Sequence, residues 1–135
     1  MKSNIKTTQA FYHNLGKLFY AIAFSDKKVS QEEFKTLKKY IENYWLQYDN
    51  LTDIFDNDAA HLIEVVFEGV QFFNESADDM YNAFITYKNE QPHLYNDQVN
   101  RLILETARAI AYSYAQVNKS ELIILNKLEM EINKL

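Results

Sequence analysis

The chain has 135 residues, 47% of them apolar, with a net charge of −5, two glycines, one proline and no cysteine. That length fits one domain able to bury roughly two thirds of its unfolded surface, and so few turn-forming residues exclude a β-sandwich or barrel, which needs a turn about every 8 to 12 residues. The lack of cysteine excludes disulfides, thiolate metal sites and cysteine nucleophiles, and Gly16 and Gly69 are too isolated to build a phosphate-binding loop.

Apolar residues recurring every three to four positions predict helices throughout. The first covers about 8–24 on Phe11, Leu15, Leu18, Phe19 and Ile22, with His13 and Lys17 turned to water. Ser30-Gln31-Glu32-Glu33 reads as a capping box, in which Ser30 and Glu33 satisfy each other's backbone amides. The second helix then runs to about 48, burying Phe34, Leu37, Ile41, Tyr44 and Trp45 and carrying Lys35, Lys38 and Lys39 on its outer side. Residues 49–58 are a polar connection with Asp49, Asp53, Asp56 and Asp58, anchored by Leu51, Ile54 and Phe55. Asp56 or Asp58 caps a third helix, about 59–73, with Leu62, Ile63, Val66, Phe67, Val70 and Phe73 inward. Ser76 caps a fourth, about 77–89, and Pro92 forces a connector after it. The fifth spans about 97–114 on Val99, Leu102, Ile103, Ala107 and Ile110. Asn118 opens the sixth, which buries Leu122, Leu125, Leu128 and Ile132. The expectation is an all-α, compact single-domain bundle of six to seven helices over residues 1–135.

A long-range feature connects the two ends. Residues 21–34 align without a gap on residues 109–122, and Ala21, Ile22, Ala23, Ser25, Val29 and Glu33 meet identical residues, as Leu37 meets Leu125. Each copy is a helix end, a short loop with an inward Val, an N-cap and an acidic residue three positions on. This is an internal duplication of a helical hairpin, with the repeats at 8–48 and 97–134.

The first copy, from Ala21-Ile22-Ala23 through Ser25-Asp26-Lys27-Lys28-Val29 to Glu33, resembles the signature of the TerB-like tellurite-resistance family. The segments from Ile103 to Ala107 and from Asn118 to Glu121 are similar to the C-terminal half of such proteins. The resemblance covers essentially the whole chain and implies a compact helical fold with two pseudo-repeated hairpins. It also implies a divalent-cation loop of the form Ala-x-x-Asp-Gly-x-(Val/Ile)-x-x-x-Glu, which Asp26 and Glu33 match. Here Lys27 stands at the glycine, and Lys27 and Lys28 set two ammonium groups beside those carboxylates. A hard cation wants about six to eight oxygen ligands, so any such binding should be weak.

Charge is uneven. Residues 1–48 carry a net +4 and residues 49–105 a net −10, a dipolar surface whose acidic side suits a protein partner or a cation. Candidate interaction residues there are Asp53, Asp56, Asp58, His61, Glu64 and Glu68, the last three sharing a polar stripe at i, i+3 and i+7. An EF-hand fails from either Asp56 or Asp26, because neither register places Gly sixth and Glu twelfth. His13, His61 and His93 adjoin no nucleophile, and the serines have structural duties at helix ends, so no enzyme is expected. Tyr12, Tyr20, Tyr48, Tyr87 and Tyr95 are hard to bury together, and some of them are expected to form an exposed rim. Only Arg101 and Arg108 interleave with the aromatics, against nucleic-acid binding. No window is apolar enough to span a membrane, and residues 1–9 do not resemble a signal peptide. The reading is a cytoplasmic TerB-like module, linked to stress or metal responses and binding another protein, a second copy of itself included. It needs no cofactor; a weakly held divalent cation at Asp26 and Glu33 is the alternative.

Overall fold

A computed structural model describes residues 3–25, 28–46, 59–113 and 119–134. Among them lie six α-helices and no strand: α1 (Ser3–Ala23), α2 (Gln31–Tyr40), α3 (Leu62–Phe72), α4 (Ala77–Glu90), α5 (Asp97–Ala111) and α6 (Lys119–Ile132). The molecule is an all-α bundle. Its helix starts are set by local chemistry. Glu33 N–H donates to Ser30 Oγ at 3.1 Å while Ser30 N–H donates to Glu33 Oε1 at 2.8 Å, closing the expected capping box. Ser76 Oγ accepts from Asp79 N–H, and Asn96 Oδ1 accepts from Val99 N–H at 2.9 Å to open α5. Pro92 begins a 3-10 turn, Pro92–Leu94, between α4 and α5. Asn118, Asp56 and Asp58, the remaining expected caps, lie outside the described residues, and a 3-10 turn at Ala59–His61 leads into α3.

The centre of the bundle is α1. It packs against α3, α4 and α5, and touches α6. Phe11, Leu15, Leu18, Phe19 and Ile22 are buried as the spacing predicts, but so are Tyr12, Tyr20, Ala21 and Ala23. α3 approaches α1 so closely at Gly16 that an added Cβ would sit 2.7 Å from the Ile63 carbonyl oxygen. Three candidates for the exposed rim are therefore core residues: Tyr12, Tyr20 and Tyr95 are each at least nine-tenths buried, while Tyr87 is half-buried and Tyr48 lies outside the described residues. Tyr95 packs its ring between Phe11 and Phe84, and the Tyr20 hydroxyl donates to the Glu75 carbonyl at 2.7 Å.

α2 and the turn that continues it bury Glu33, Leu37, Ile41 and Trp45, one residue in every four. A helix of 3.6 residues per turn would rotate that row by about 40° at each step. The chain absorbs the drift in a π-helical turn, Ile41–Trp45, where Leu46 N–H reaches back five residues to the Ile41 carbonyl. Trp45 is thereby carried inward, its Nε1–H donating to Thr106 Oγ1 at 3.1 Å, and Thr106 Oγ1 donates on to the Leu102 carbonyl. Tyr44, expected inside, is turned out, its ring tilted by 42° against that of Tyr40. Leu122 and Phe73, also expected inside, are exposed.

Both repeat segments are helical, and they meet where α1 and α2 pack on α5. Equivalent residues share their surroundings. Ile22 and Ile110, Ala23 and Ala111, Leu37 and Leu125, and the carboxylates Glu33 and Glu121 are all buried. Ser25 Oγ donates to the Ile22 carbonyl and Ser113 Oγ to the Ile110 carbonyl, the same bond in both copies.

Candidate functional site

The first candidate, the Asp26–Glu33 loop, is described only in part. Asp26 and Lys27 lie outside the described residues. Glu33 is buried, and its Oε1 is already the acceptor for the Ser30 amide. What the structure shows of this carboxylate is a cap that stabilises the first turn of α2.

Of the second set, Asp53, Asp56 and Asp58 lie outside the described residues, while His61, Glu64 and Glu68 stand on α3 and the turn before it. Glu64 is shared: His61 Nδ1 lies 3.9 Å from one carboxylate oxygen and Lys38 Nζ 4.0 Å from the other. Glu68, one turn further on, faces a different space. The three are not brought together on one centre, and among the described residues no group of three His, Asp or Glu side chains could hold a metal ion.

Glu68 instead lines an open groove of about 450 Å³ between α2 and α3. Its other lining residues include Val29, Phe34, Lys35 and Lys38 from the α2 side and Gln71 from α3. Lys38 meets Glu64, Phe34 meets Phe67 with ring centroids 5.5 Å apart, and Gln71 lies opposite Ser30 and Gln31. The two helices thus run antiparallel along the groove. It stays open because α2 spends its buried side on α5 rather than on α3. Val29, expected to plug the corner before α2, is half-buried and forms part of the floor. Lys38 Nζ also sits 5.7 Å over the Phe34 ring.

At one end of this groove α3 stops in a Schellman turn. Glu75 N–H donates to the Val70 carbonyl and Asn74 N–H to the Gln71 carbonyl, with Asn74 at φ 53°. The Tyr20 hydroxyl pins the turn from the core. The register this fixes leaves Phe72 and Phe73 79% and 72% exposed, their rings edge to face at 5.1 Å. Val65 is also exposed, so His61, Val65, Glu68 and Phe72 form an outward row at i, i+4, i+7 and i+11.

The lysine wall and the aromatic pair were not singled out from the sequence as a site. A signal was present: α3 carries apolar residues at 62, 63, 65, 66, 67, 70, 72 and 73, more than one buried face of a surface helix uses. No family model, curated protein or solved structure matches the chain. Among the described residues no helix is long and apolar enough to cross a membrane.

Proposed function

We propose that this chain is a TerB-like helical module of the cytoplasm that acts by binding another protein in a stress or metal-linked response, rather than by catalysis. The observation that carries the reading is the exposed Phe72–Phe73 pair beside an open groove. Two adjacent aromatic side chains in water, on a turn held rigid from the core, make a preorganised apolar contact of the kind interfaces use. The TerB-like motif over residues 21–33 supports the family assignment. The cation alternative at Asp26 and Glu33 has less support, because the Glu33 carboxylate is engaged by the Ser30 amide.

The test is retention by the immobilised chain of a stoichiometric protein from an extract of the cells that carry it. Retention should be lost in the double variant Phe72→Ser/Phe73→Ser, with its helical circular dichroism unchanged. Retention by both forms alike, or by neither, rejects the reading. Thermal melts with millimolar calcium, magnesium or zinc address the alternative: a stabilisation that vanishes in Asp26→Asn would put the cation in its place.

A further inference from the structure

The groove between α2 and α3 carries chemistry that restricts what can lie in it. One wall is basic. Lys35 and Lys38 line it, while Lys39, one turn from Lys35, is exposed outside the lining. Lys38 is partly committed to Glu64, but Lys35 and Lys39 make no ion pair among the described residues. Opposite, on α3, stand two carboxylates, Glu68 and the Glu64 that pairs with Lys38, with the amide of Gln71 beside Glu68. The floor is apolar, Val29 and Phe34, and Phe72 stands one turn beyond Glu68 at the edge. From Ser30 to Lys38 the wall is about 12 Å long, two helical turns.

Resting on the reading of this face as a protein-binding surface, the geometry points to a definite occupant: an amphipathic helical segment of a partner protein, apolar inward and acidic along the edge that faces α2. Two turns of such a helix present anchors at i, i+3 or i+4 and i+7, the spacing by which a helix fills an apolar groove. Its carboxylates meet Lys35 and Lys38, and an amide or basic side chain on the other edge meets Glu68. Charge complementarity of this kind selects among partners more than it adds affinity. The basic wall belongs to residues 1–48, which carry a net +4 in a chain of net −5.

Two labelled synthetic helices test the assignment, identical in their leucine and phenylalanine anchors and flanked by glutamate in one and lysine in the other. Fluorescence anisotropy against the full chain should show the glutamate peptide binding about tenfold more tightly, the yield of two or three partly exposed charge pairs. The preference should shrink as salt is raised. Lys35→Glu/Lys38→Glu should reverse it, and Phe72→Ser should weaken both peptides, with melting temperatures checking that each variant is folded. Equal binding, no binding, or a preference the lysine reversals leave untouched overturns the assignment. So does a dimer in sedimentation that Phe72→Ser dissociates, because a second copy would then cover the face. If the peptides fail while Phe72 and Phe73 still govern retention from the extract, the surface binds a partner of other chemistry and only the acidic helix is rejected.

Discussion

α1 and α5 are the first helices of the two repeats, and they bury the same register. Phe11, Leu15, Leu18, Phe19, Ile22 and Ala23 of α1 correspond to Val99, Ile103, Thr106, Ala107, Ile110 and Ala111 of α5, and all twelve are buried. The helices part company on the other side. Tyr20 is buried beneath the end of α3, while its counterpart Arg108 is exposed and pairs with Glu129 of α6. Gly16 faces the α3 backbone, while its counterpart is the half-buried Leu104. The common register therefore covers one face of each helix. The second face of α1 exists because α3 and α4, the segment between the repeats, close over it.

The sharpest way to break this contrast is to give α1 the residue of its counterpart. Gly16→Leu would drive a side chain into the Ile63 carbonyl and Val66, and should cost about 3 kcal/mol or more. Leu104→Gly loses only a half-buried side chain and helix propensity, and should cost less. Denaturant midpoints that rank the two the other way would mean that α3 does not press on α1 as described.

Alkaline titration probes the same cover. Burial, with a smaller contribution from Glu75, pushes the Tyr20 hydroxyl up to about 12, and burial with Glu131 does the same for Tyr81. The native chain then holds protons that the unfolded chain, near 10, releases. Stability is full below pH 10 and falls from there to about pH 12, by on the order of 2 kcal/mol per tyrosine. Tyr81→Phe, which keeps the ring under Lys127 Nζ, should make that fall shallower. An unchanged slope in urea titrations across this range would show that burial of Tyr81 is not its source.

The repeat itself is tested at its cap. Ser30→Ala removes the acceptor for the Glu33 amide and should cost roughly 0.5 to 2 kcal/mol. An unmoved denaturant midpoint would remove the capping box from the account of α2. The smallest effect, opposite in sign, belongs to Gly69 on the outward side of α3, where nothing lies within 4 Å of an added Cβ. Gly69→Ala should stabilise by about 0.5 to 1 kcal/mol. A loss of stability there would mean that this side of α3 is covered.

Local interactions wrote much of the fold into the sequence. The core stripe of α1, the Ser30–Glu33 box, the cap at Ser76 and the stop at Pro92 each involve residues a few positions apart, so their spacing is enough to place them. The likeness of residues 21–34 to 109–122 was legible for a similar reason: six identities over fourteen gapless positions carry their own register. The candidate site was less legible. Glu33 and Glu68 were marked for their charge, but only contacts distant in sequence show one closing a cap and the other facing a groove.

What the sequence by itself determined is therefore the set of helices, the caps at Ser30 and Ser76 and the common buried register of α1 and α5, because hydrogen bonds and periodicity act over one or two turns. Tertiary structure decided the rest. It buried Tyr12, Tyr20 and Tyr95, required glycine at position 16, and turned Tyr44 outward at a π turn. It also left Phe72 and Phe73 outside although Phe73 continues the apolar pattern of α3. An apolar side chain specifies that water is unfavourable, not which surface will cover it. That choice falls to helices arriving from elsewhere in the chain, and at the end of α3 none of the described helices covers the two rings.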